Sequence, residues 1–202
     1  MTTRWILALV CGQALARTFT TLLGAVIHGP MAPPDAETSI LLLSAAMLVA
    51  GALEGTVVGS AERLALGHRI PWTWIPLSAA AFALAWGAGM LSTGAEPSAP
   101  GVGAVVLYAA LAGLVLGLLK GSLQTLALRG RPERPPWIRL NMLAWGSGMM
   151  IGAVVTDFVQ VGPFSAEVLL LEILSGASTG LVVSLITLPG LPIEAPGEAE
   201  FD

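Results

Sequence analysis

Six stretches of the chain stay apolar for about twenty residues or more, at 5–27, 38–61, 72–92, 102–128, 137–158 and 166–188, with short polar segments between them. In helical conformation about twenty apolar residues cross the ~30 Å hydrocarbon layer of a bilayer, so the pattern predicts six transmembrane helices. In the second, fourth and sixth runs a small residue recurs at every fourth position: Gly51, Gly55 and Gly59; Gly113, Gly117 and Gly121; Gly176, Gly180 and Ser184. Small residues at this spacing form a ridge on which another helix packs closely in lipid. The odd-numbered runs share a different mark, Trp-Ile, at Trp5-Ile6, Trp74-Ile75 and Trp137-Ile138.

The two marks alternate, which predicts a repeated helix pair. Shifted by 62 residues, 50–66 falls on 112–128 with eight identities in seventeen positions, and a further shift of 63 carries Gly113, Gly117 and Gly121 onto Gly176, Gly180 and Ser184. The expected fold is an all-α integral membrane domain over 1–188, made of helix pairs 2/3, 4/5 and 6/1 around a pseudo-threefold axis along the membrane normal. Sites in membrane proteins of parallel repeats form between the repeats. Residues 189–202 form an acidic, Pro/Gly-rich tail. Arg4, an apolar stretch and Ala14-Leu15-Ala16 also have the outline of a signal peptide, but the shared Trp-Ile start assigns this segment to helix 1.

Composition agrees with the pattern. The chain is 55% hydrophobic and 11% charged, against about 25% charged in soluble domains, and its mean hydropathy is +0.81. Arg4 precedes helix 1, Arg63 and Arg69 lie between helices 2 and 3, and Arg129, Arg131 and Arg134 lie between helices 4 and 5. The other connections carry Asp35, Glu37 and Glu96 and no Arg or Lys. The positive-inside rule then places both termini and the basic loops in the cytoplasm, across the inner membrane of a bacterium. The basic loops also suit anionic lipid headgroups. The Trp-Ile tryptophans read as interfacial anchors, and Trp86 and Trp145, which lie deeper, as core packing or pocket lining.

Ionisable groups at bilayer depth mark function by default. Arg17, Glu54, Lys120 and Glu172 are the candidates. At 1.5 Å per residue Glu54 and Lys120 lie at nearly one height, ~12 Å above the basic end, and Arg17 near ~18 Å. Glu54 can therefore meet Lys120 or Arg17. Gln124 shares the Lys120 face one turn on, and Gln13 and Asn141 add polar groups. The expectation is a cluster of Arg17, Glu54, Lys120 and Gln124 facing the interior and open toward the cytoplasm. It serves structural pairing, a ligand or ion, or a lysine extending to the headgroups.

Other chemistry is not visible. His28 and His68 fall at opposite ends, no His/Cys/Asp spacing suits a metal, and Cys11 is a lone thiol. Ser147, between Gly146 and Gly148, lacks a base. Met142, Met149 and Met150 read as packing, and Asp157 and Glu167 as hydrated flanks of a turn. No phosphate or dinucleotide motif names a cofactor, so the cofactor stays unknown. No basic face suits nucleic acid, and the reading is not an enzyme.

The strings Gly51-Ala-Leu-Glu-Gly55, Ala61-Glu-Arg-Leu64, Trp86-Gly-Ala-Gly-Met-Leu-Ser92 and Trp137-Ile with Asn141 resemble uncharacterised bacterial multi-pass membrane proteins with repeated Gly-x-x-Glu-Gly and Trp-Ile helix hairpins. This resemblance covers most of 5–188 and implies a membrane bundle without implying an activity. The Gln position of that pattern is Glu62, Gln124 and Thr187 in the three copies, and its Glu is kept only as Glu54, with Leu116 and Thr179 in the others. The expected function is a small membrane protein of the transporter or ligand-binding kind. The alternative is an accessory subunit packed on a larger complex through its glycine ridges, with membrane lipids, a homo-oligomer or that complex as partners.

Overall fold

The computed structural model describes residues 1–28, 36–92, 101–128, 134–157 and 165–191. Asp35, Glu96, Arg129, Arg131 and the tail beyond residue 191 lie outside the described residues. Six helices follow the apolar runs: α1 Thr2–His28, α2 Ala36–Leu66, α3 Trp74–Ser92, α4 Val102–Ala127, α5 Arg134–Asp157 and α6 Ala166–Thr187. Two 3-10 turns, Gly67–Arg69 and Leu188–Gly190, complete the regular structure, and there is no strand among the described residues. Five helices are long and apolar enough to cross a membrane; the described apolar part of α3, Trp74–Ala88, is shorter.

Local signals set the helix ends. Ser165 caps α6 by accepting from the Val168 amide at 3.3 Å, and Glu167 lies in the first turn, where a negative charge favours the helix dipole. Gly67 follows the last residue of α2 with φ 63°. This left-handed geometry ends a helix without the Cβ penalty of other residues, and the chain turns there into α3.

Each helix packs on its neighbours in the chain, and α6 returns to α1, so the six form a closed ring. The most extensive interfaces are α4/α5, α2/α3 and α1/α6. The small-residue ridges explain their closeness. A Cβ on Gly51 would lie 2.6 Å from the Phe82 carbonyl oxygen, and one on Gly55 2.5 Å from that of Ser78. Gly113 meets the backbone of Trp145, Gly117 that of Asn141, Gly176 that of Gln13 and Gly180 that of Leu9. Gly59 and Gly121 face Ile75 and Ile138.

Polarity is inverted relative to a soluble domain. Every helix turns large apolar side chains outward: Leu7, Leu53, Leu84, Leu111, Leu143 and Leu174 are all about half exposed. Gln13, Glu54, Glu62, Lys120, Gln124 and Asn141 are buried. Exposed apolar surface on this scale marks a membrane or a partner.

Candidate functional site

The polar interior has two layers. The first lies at the end of the bundle where α1, α3 and α5 begin. Lys120 Nζ donates to Glu62 Oε1 at 2.5 Å, with both side chains 1% exposed. Glu62 Oε2 accepts from Trp74 Nε1 at 2.8 Å and from Gln124 Nε2 at 3.0 Å. Gln124 Nε2 also donates to Ser78 Oγ at 2.9 Å, while its Oε1 accepts from Trp137 Nε1 at 3.0 Å. On the third side Trp5 Nε1 lies 3.2 Å from both Thr187 Oγ1 and the Ser184 carbonyl oxygen. Such a buried polar network rigidifies when every member is satisfied, and here the carboxylate, the ammonium and the Gln124 amide all have partners. The Trp74 and Trp137 rings, 5.6 Å apart between centroids, close the same layer.

This layer corrects two expectations. Trp5, Trp74 and Trp137 are fully buried and hydrogen-bonded inward, so they are not interfacial anchors. Their indole N–H groups go to Thr187, Glu62 and Gln124, which hold them inside. Trp72 is the exposed tryptophan at this end, with the Arg63 guanidinium 4.7 Å from its ring centroid. Lys120 pairs with Glu62 and not with Glu54. Counted back from Leu66 and Leu128, Lys120 lies one turn, about 6 Å, closer to this end than Glu54 does. Its long stem extends further in that direction, where the carboxylate of Glu62 is already oriented by Trp74 and Gln124.

The second layer is a cavity of about 260 Å³ between all six helices. Its ionisable and polar lining is Gln13, Arg17, Glu54 and Thr179, its aromatic lining Trp86, Trp145 and Tyr108. Met47, Leu116 and Met149 supply much of the rest. Trp86 Nε1 donates to Glu54 Oε2 at 3.0 Å. Gly51 allows this contact, because a Cβ there would approach the Trp86 ring to 2.8 Å. Arg17 Nη1 lies 3.8 Å from Glu172 Oε2. Two buried donors, Gln13 Nε2 and Trp145 Nε1, have no partner, although buried polar groups are nearly always satisfied. Trp145 and Phe82, packed edge to face at 5.0 Å, separate the cavity from Lys120, whose Nζ is 5.6 Å from the centre of the Trp145 ring.

The expected cluster is thus divided. Lys120 and Gln124 belong to the closed network, and Arg17 and Glu54 to the cavity. The cavity straddles the middle of the bundle: Gln13, Glu54, Leu116 and Thr179 lie on the basic-loop side of their helix midpoints, and Arg17, Met47, Trp86 and Tyr108 lie beyond them. Met47 and Tyr108 are its lining residues furthest from the basic-loop end, and Tyr108 is half exposed. Sequence reasoning left Glu62 out of the cluster. Its signal was present, since Glu62, Gln124 and Thr187 occupy matching positions and each meets a Trp-Ile tryptophan. Among the described residues no group of three His, Cys, Asp or Glu side chains is placed to hold a metal ion. Comparisons with protein families, curated proteins and solved structures find no match.

Proposed function

We propose that the chain is an integral membrane protein of the transporter or ligand-binding kind, whose cavity is a small-molecule site on the axis of three repeated helix pairs. The cavity carries the reading. It is lined by all six helices and combines a buried carboxyl group with two donors that lack partners. A pocket of apolar walls with a few convergent polar groups is the usual form of a ligand site.

Its lining supports the repeat. Glu54, Leu116 and Thr179 line it from α2, α4 and α6, and Arg17, Trp86 and Met149 from α1, α3 and α5. The first triplet follows the offsets of 62 and 63 that align the glycine ridges, and the second follows those that align Trp5, Trp74 and Trp137. Three equivalent positions with three different chemistries turn a symmetric bundle into an asymmetric site. The buried network below it acts as a seal at the basic end, which the positive-inside rule assigns to the cytoplasm of a bacterial inner membrane. The eight ridge glycines, spent on contacts within the chain, leave the accessory-subunit reading no glycine surface for a partner.

Native mass spectrometry of protein released from nanodiscs tests the site. The unmodified protein carries a bound small molecule or stoichiometric lipid, and Ala112→Phe, which puts a ring into the cavity that Ala112 lines, loses it. An empty protein in both cases refutes the site.

A further inference from the structure

Resting on that interior site, the charges around it point to the class of its ligand. Arg17 pairs with Glu172 and Lys120 with Glu62, so Glu54 is in neither ion pair. Glu54 is 4% exposed, and its carboxyl group accepts the Trp86 indole N–H. Arg17 also acts on Glu54 through space, so Glu54 and Glu172 share one guanidinium and the set holds one more acidic than basic group. A charge at this depth calls for a partner.

The walls suit one kind of cation. Trp86, Trp145 and Tyr108 present aromatic surface to the same space, and aromatic faces attract ammonium groups, most strongly quaternary ones away from water. Met47 and Met149 add polarisable apolar surface. A hydrated metal ion gains little from such walls. The volume of about 260 Å³ exceeds the ~150 Å³ that holds benzene in an engineered protein cavity, so the ligand is a compact molecule. Gln13 Nε2 and Trp145 Nε1 supply donors for an oxygen on it.

We propose that the cavity takes a small organic ammonium compound, with its nitrogen at Glu54 among the rings of Trp86, Trp145 and Tyr108. Titration calorimetry of the full chain in nanodiscs tests this with choline and benzyltrimethylammonium. Each is compared, at matched free aqueous concentration, with its neutral isostere carrying a quaternary carbon in place of nitrogen. The cations bind at least about tenfold more tightly than the isosteres, a preference abolished in Glu54→Gln and reduced in Tyr108→Leu. The comparison on the unmodified protein stands even if Glu54→Gln does not fold. Equal binding of cation and isostere overturns the ammonium class and leaves the cavity as a neutral-ligand site. Absence of binding by every compound overturns the ammonium class and counts against the site itself.

Discussion

Lys120→Met removes the ammonium that, among the described residues, forms the ion pair with Glu62. Both side chains are 1% exposed and their charged atoms are 2.5 Å apart. Removing one member of a buried pair costs about 3–5 kcal/mol, because the remaining charge is stranded. Glu62 retains hydrogen bonds from Trp74 and Gln124, so the lower end of that range applies, about 3 kcal/mol. Glu62→Gln strands Lys120 and costs a similar amount. The double variant Lys120→Met/Glu62→Gln strands no charge and keeps an acceptor for Trp74, so it loses less than either single variant, about 1 kcal/mol. Reversible unfolding in mixed micelles, read by tryptophan fluorescence, gives all four free energies. The coupling is about 3 kcal/mol or more. Single variants that each lose less than about 1 kcal/mol, or a double variant that loses the sum of the singles, would refute the reasoning.

Gly117→Ala puts a methyl group against the backbone of Asn141 and Met142, which cannot rotate away; a loss of about 1–3 kcal/mol in the same unfolding assay is expected, and a neutral result would show that α4 and α5 do not approach so closely. Gly67→Ala meets no neighbouring atom but must adopt φ 63°, so it loses about 1 kcal/mol through backbone strain alone. Cys11 is exposed on the outer face of α1, where the membrane reading puts lipid against it. A charged maleimide does not enter the hydrocarbon, so it leaves this thiol unmodified in nanodiscs and modifies it in SDS; rapid labelling in nanodiscs would contradict insertion of α1.

The helices were legible in the sequence because apolar length and the small-residue ridges are local signals. Gly113 and Gly117 announce a close neighbour by their spacing, although only the packed bundle shows that α5 is that neighbour. The polar interior was harder to read. Glu54 and Lys120 stood out as isolated charges in apolar runs, but pairing depends on height to within one turn and on where a long lysine stem reaches. Glu62, two residues beyond Ser60 and next to Arg63, looked like the helix end and not like bundle interior. Tryptophan at the start of a membrane helix has two physical meanings, anchor or buried donor. At positions 5, 74 and 137 the partner across the interface selects the second. The cavity itself left no mark on the sequence, because it comes from six helices and from what the side chains fail to fill.

The proposed cation site, with Glu54 in its wall, is tested most directly by a single thiol placed in that wall. In a Cys11→Ser background, Ala112→Cys is treated in nanodiscs with a trimethylammonium methanethiosulfonate and with its sulfonate counterpart, each rate normalised to that reagent's rate with a free thiol. The cationic reagent reacts at least about tenfold faster, since a cleft carrying one sign of charge concentrates the opposite ion, and Glu54→Gln removes the difference. No reaction with either reagent, or a normalised rate equal to or higher for the anion, would contradict the proposed cation site.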